Sequence, residues 1–140
     1  MNLALKPVLY IGFVLLSAHA QEELLVSESI SPLYFETMKY PLAARLTHVQ
    51  GIVVVQAKVD EHGKVIAATA LFGARKLVEA SLENSKKWKF RPSSPKMTII
   101  VYRFRIEGLC NLPCPSHFTF EPPNFAVITI GEPVVDHTGN

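Results

Sequence analysis

Residues 84–92 read NSKKWKFRP, and the order Trp88, Lys89, Phe90, Arg91, Pro92 decides how the chain is built. Upstream, Leu77, Val78, Ser81, Leu82 and Ser85 recur at spacings of three and four, and Trp88 continues that row. This is the apolar stripe of a helix. The opposite side is charged (Lys76, Glu79, Glu83, Lys86, Lys87), with Glu83 and Lys87 at the favourable i,i+4 spacing. Ser81 and Ser85 are small, which lets the helix lie close to a sheet. Pro92 cannot continue a helix. Trp88 therefore reads as the last buried anchor, and Phe90 follows on a two-residue period beneath the same helix end. Lys89 and Arg91 face water. The stretch is a helix handing over to an extended segment, and its aromatics close a core.

Working outward, IVVVQAKV (52–59) is dense in β-branched residues. Val53, Val55, Ala57 and Val59 share one face, while the other fades from Ile52 and Val54 to Gln56 and Lys58, as in a strand with one wet side. Asp60-Glu61-His62-Gly63 is turn chemistry, with Gly63 free to take a positive φ. Residues 65–72 return as a second strand, completing an antiparallel hairpin. PSSP (92–95) turns the chain again, and MTIIVYRFRI (97–106) is a third strand, with Ile100, Tyr102, Phe104 and Ile106 on one face. Before the hairpin, Tyr40-Pro41 opens a short helix, PLAARLTH, because proline suits the first helical position. The order helix, hairpin, helix, strand predicts an α+β fold: a small antiparallel three-stranded sheet with helices packed on one face. Its expected core holds Val53, Val55, Leu77, Leu82, Trp88 and Phe90.

The chain has 140 residues, 49% apolar and 19% charged, with mean hydropathy +0.22; this suits one domain with a modest core. Part of the apolar excess is targeting. MNLALKPVLYIGFVLLSAHA combines Lys6, a short apolar run and the small-x-small end Ala18-His19-Ala20. This predicts a secretory signal cleaved after Ala20. The alternative is a retained inner-membrane anchor, but about 10 apolar residues fall short of the ~20 needed to span a bilayer. Cleavage removes only Lys6 from 14 basic residues and none of the 12 acidic ones. The near-neutral balance excludes a nucleic-acid or membrane-surface role. Residues 21–39 read as a lead-in.

Export makes a disulfide the expected state of Cys110 and Cys114, the only cysteines, in CNLPC. The alternative is a soft-metal site adding His117, which lacks a fourth ligand. The Pro-rich extension over 107–140 holds this pair and one further candidate strand, in which Phe125, Val127 and Thr129 alternate with Ala126, Ile128 and Ile130.

The ordered set Tyr40-Pro41, Ala44, Gly51, Val53, Val55, Val59-Asp60, Gly63, Val65, Ala80 and Trp88-Lys89-Phe90-Arg91-Pro92 resembles the C-terminal domain of the TonB energy-transducer family over residues 38–106. The resemblance implies a periplasmic module that binds TonB-dependent outer-membrane transporters by adding a short extended segment to a sheet edge. In such β-augmentation, backbone hydrogen bonds supply affinity and neighbouring side chains supply selectivity. Carried over residue by residue, it makes Tyr40 and Pro41 partner contacts. It also makes the main chain of Ile99, Ile100, Val101, Tyr102 and Arg103 the pairing edge.

This sequence departs from a full transducer in its expected lack of an inner-membrane anchor and a long Pro-rich linker. The 19-residue lead-in extends at most ~65 Å and ~25 Å on average as a coil. Two functions therefore stand side by side. One is a transporter-binding module whose tail packs near the last strand without fully pairing it. The other is an envelope interaction protein that keeps the fold but not receptor binding, and whose own tail occupies the edge.

Nucleophile-elbow, phosphate-loop, metalloprotease and dinucleotide motifs are all lacking. His48, His62, His117 and His137 have no nucleophile or carboxylate at telling spacing, and Asp60 and Glu61 suit a turn better than acid–base chemistry. No enzymatic activity, cofactor, metal or small-molecule substrate is expected, only a protein partner.

Overall fold

The computed structural model describes residues 30–93 and 96–135. The leader expected over residues 1–20, most of the lead-in and His137 lie outside them. The elements run α1 (Leu42–Leu46), β1 (Gly51–Val59), β2 (Val65–Phe72), α2 (Arg75–Ser85), β3 (Lys96–Cys110), β4 (Ser116–Glu121) and β5 (Phe125–Pro133). Among the described residues no helix is long and apolar enough to cross a membrane.

In β1 the alternation is direct: Val53, Val55, Ala57 and Val59 are buried. At the hairpin, Asp60 Oδ1 accepts the backbone N–H groups of His62 and Lys64, each at 2.9 Å. Gly63 has φ +82°, and the Phe90 N–H donates to its carbonyl at 2.8 Å. In α2 the serine hydroxyls turn back onto the helix: Ser81 Oγ donates to Leu77 O (2.9 Å) and Ser85 Oγ to Leu82 O (2.8 Å). These bonds satisfy two buried hydroxyls locally and leave a slim face against β1 and β2. The helix ends earlier than its stripe suggests. After Ser85 the chain tightens, Trp88 N donating to Ser85 O at 3.2 Å, so Trp88 is fixed by the turn beyond the helix. Trp88 and Phe90 are both buried; Leu82 is only half-buried.

The expected three-stranded antiparallel sheet is corrected to a five-stranded mixed one, ordered β2-β1-β3-β5-β4. β1 is antiparallel to both β2 and β3, whereas β5 runs parallel to β3 and antiparallel to β4. The chain leaves β3, skips one strand position to lay down β4, and returns as β5 into the gap. The tail can do this because its apolar residues alternate like those of the first three strands. Ala126, Ile128 and Ile130 of β5 lie level with Tyr102, Phe104 and Ile106 of β3, and with Phe120, Phe118 and Ser116 of β4. All belong to the face carrying the helices. Beyond the reach of the helices, the segment before α1 covers this face. Phe35 stacks on Phe120 (centroids 4.5 Å) and Phe118 (5.7 Å), and Tyr40 meets Phe104 edge-on at 5.5 Å.

Strand β3 is therefore not an edge. The expectation that it borders the sheet, with the tail nearby but incompletely paired, is overturned over residues 101–106, where β5 completes a second ladder.

Candidate functional site

Three of the five residues expected to offer the pairing edge are bracketed on both sides. Val101 sits between Val54 and Phe125, Tyr102 between Val53 and Ala126, and Arg103 between Ile52 and Val127. Just before them, the side-chain amide of Asn124 donates to the Ile99 carbonyl, and the Val101 N–H donates to Asn124 O at 3.1 Å. Ile100 and Tyr102 point into the core. Ile99, Val101 and Arg103 belong to the opposite face, where the Arg103 guanidinium lies 5.8 Å from the Phe125 ring centroid.

Tyr40 is buried, its hydroxyl donating to Val49 O at 2.7 Å and its N–H to Ser116 Oγ at 2.9 Å. Burial pushes its phenol up to about 12. Pro41 caps α1 without a side-chain bond; its carbonyl accepts the Arg45 N–H at 2.9 Å. Tyr40 is thus fastened to β4 and β3 through Ser116 and Phe104.

Sequence reasoning missed Asn84. It is buried in α2, and its amide donates to Glu36 O at 2.9 Å. Its Oδ1 accepts both the Trp88 indole N–H (2.9 Å) and the Tyr102 hydroxyl (3.0 Å). Burial holds the Tyr102 phenol well above its ordinary range, an effect that hydrogen bonding with Ser85 partly offsets. The available signal was the Asn84–Trp88 spacing of four, which puts an amide one helical turn from an indole.

Cys110 and Cys114 are joined in a disulfide with a Cα–Cα distance of 5.5 Å, which removes both as metal ligands. The bridge rests on β5 where Gly131 leaves room: a Cβ there would lie 2.9 Å from Cys110 Sγ. His48 pairs with Glu132 at 3.3 Å, and His62 with Glu61 at 3.5 Å.

A family model described as the Gram-negative bacterial TonB protein C-terminal matches residues 36–107. The chain belongs to the TonB C-terminal family. No curated protein and no solved structure matches it. TonB C-terminal domains are non-enzymatic protein-interaction modules of the cell envelope, in TonB-type transport. The matched residues stop within β3, so β4, β5 and the disulfide lie beyond the TonB C-terminal match.

Proposed function

We propose that this protein is a periplasmic interaction module, exported with removal of residues 1–20, that keeps the TonB C-terminal fold while its own β5 fills the strand edge used for partner recognition. The supporting observation is the parallel ladder between Val101–Ile106 and Phe125–Ile130. An added strand must find free N–H and C=O groups, and over this run both sides of β3 are engaged. Partner binding then goes through other surfaces, and transporters are not engaged by addition to β3. Tyr40 and Pro41 act in this reading as the joint between the family-like part and the tail.

Titrating the mature protein with a transporter-derived TonB-box peptide, followed by amide hydrogen exchange, tests this. Residues 101–106 and 125–130 are expected to stay protected at every peptide concentration. Peptide-dependent loss of protection over 125–130, with protection kept over 101–106, would mean that β5 is displaced, and would restore the transporter-binding role.

A further inference from the structure

Two clefts run along the line where α1 meets the tail, and they share one side chain. The first, of about 450 Å³, lies between Lys39, Leu42 and Arg45 on one side and Pro113, Pro115 and Ile130 on the other. The second, of about 130 Å³, is bounded by Arg45 and Leu46 and by Ile106 and Pro133. Arg45 stands between them, half-buried in the last turn of α1. Leu42 and Leu46, one helical turn apart, are 63% and 68% exposed. That is far more than apolar side chains on a short packed helix need to be.

The charges here are uneven. Among the described residues no carboxylate lies within ion-pair distance of Arg45 or Lys39. The one acid lining the clefts, Glu132, faces His48 Nε2 at 3.3 Å, a contact that is ionic only when the histidine is protonated. A guanidinium flanked by apolar walls, without a counter-ion, is a fixed fork of donors suited to a carboxylate. The far wall is rigid: prolines 113 and 115 flank Cys114, whose disulfide closes the loop. Such a wall loses little freedom when a ligand docks.

We propose that this seam binds a short acidic–apolar segment of a partner protein, with Arg45 taking the carboxylate and the exposed Leu42 and Leu46 covering apolar side chains. The site joins the family-matched part to the tail outside it, so neither part forms it alone. Because β5 lines both clefts, through Ile130 in one and Pro133 in the other, the site rests on the reading in which β5 stays beside β3.

The probe is acetyl-Leu-Glu-Leu-Val-amide, titrated into the mature protein by ¹H–¹⁵N NMR, with the Gln-for-Glu peptide as its neutral twin. Shifts are expected to map to residues 39–48, 113–116 and 130–133, with the neutral twin about tenfold weaker. In Arg45→Gln the two peptides should bind alike, and in Leu46→Ser both should weaken together. Both positions are at least partly exposed, so the fold is retained and the unbound spectrum verifies this. Equal affinity for the twins in the unmutated protein, discrimination that survives Arg45→Gln, shifts mapping elsewhere, or no binding at millimolar peptide would each overturn the proposal. Because β5 protection is not the readout, failure here leaves the edge-filling reading intact.

Discussion

Trp88 and Tyr102 donate to the same oxygen, Asn84 Oδ1, at 2.9 and 3.0 Å. One amide in α2 thereby holds the turn that follows the helix and the central strand β3, while its own N–H binds the segment before α1 through Glu36 O. Asn84→Leu fills similar space but strips partners from buried donors, each worth about 1–3 kcal/mol when orphaned. The variant should lose about 2–5 kcal/mol in urea unfolding. Trp88→Ala should lose ~3–5 kcal/mol, and Trp88→Phe clearly less. An Asn84→Leu variant within about 0.5 kcal/mol of the parent would show that this oxygen does not tie the core together.

Two glycines with positive φ make a controlled pair. Gly63 has φ +82°, and a Cβ there would sit 1.9 Å from the Phe90 carbonyl oxygen. Gly108 has φ +74° with nothing within 4 Å. Alanine at 108 meets only the backbone penalty, about 1 kcal/mol. Alanine at 63 must also push away the backbone of Phe90, so its melting temperature should fall at least twice as far. Equal shifts would mean that the Gly63–Phe90 approach relaxes freely.

Reduction offers a third test. Closing a five-residue loop should stabilise the fold by about 2 kcal/mol on the chain-entropy model, and denatured, unreduced protein should titrate with no free thiol. Reductant should lower the urea midpoint accordingly and move amide signals near Tyr40, Gly131 and Ser116. An unchanged midpoint would leave the bridge without a role in holding the tail.

Much of this was readable from the chain alone. The hairpin announced itself through the alternation from Val53 to Val59 and the Asp60–Gly63 turn, and α2 through its stripe. What stayed hidden depended on partners distant in sequence. His117, Phe118, Thr119 and Phe120 do alternate, but with prolines on both sides they read as an irregular tail rather than β4. The alternation of 125–130 pointed to a strand yet carries no information on its neighbour or its direction, because period two is the same in parallel and antiparallel sheets. Asn84 was invisible for a related reason: a polar residue on a helix reads as surface until its partners, distant in sequence as well as near, are located.

The tyrosines set the alkaline limit. Unfolded phenols release their protons near 10, whereas the folded chain holds that of Tyr40 to about 12 and that of Tyr102 well beyond its ordinary value. Both states are protonated below pH 10, so this contribution to stability is fully present there. It drains away as the pH rises from 10 towards 12 and above. Phenolate absorbance at 295 nm should therefore show Tyr102 ionising only together with loss of the fold. Ionisation of all described tyrosines near pH 10 in folded protein would contradict the burial of Tyr40 and Tyr102.

The placement of β5 also dictates an order of assembly. It is the last strand to be made, yet it lies inside the sheet, between β3 and β4. The hairpin of β1 and β2 closes a short loop, whereas β5 pairs with a strand made well before it and can join the sheet only after β3 and β4 have been synthesised. Until residue 133 has emerged, a newly made chain carries a bare strand next to its core, open to strands of neighbouring chains. A chain cut short before β5 would keep that state permanently, so loss of residues 125–140 should appear as aggregation rather than as a smaller folded protein.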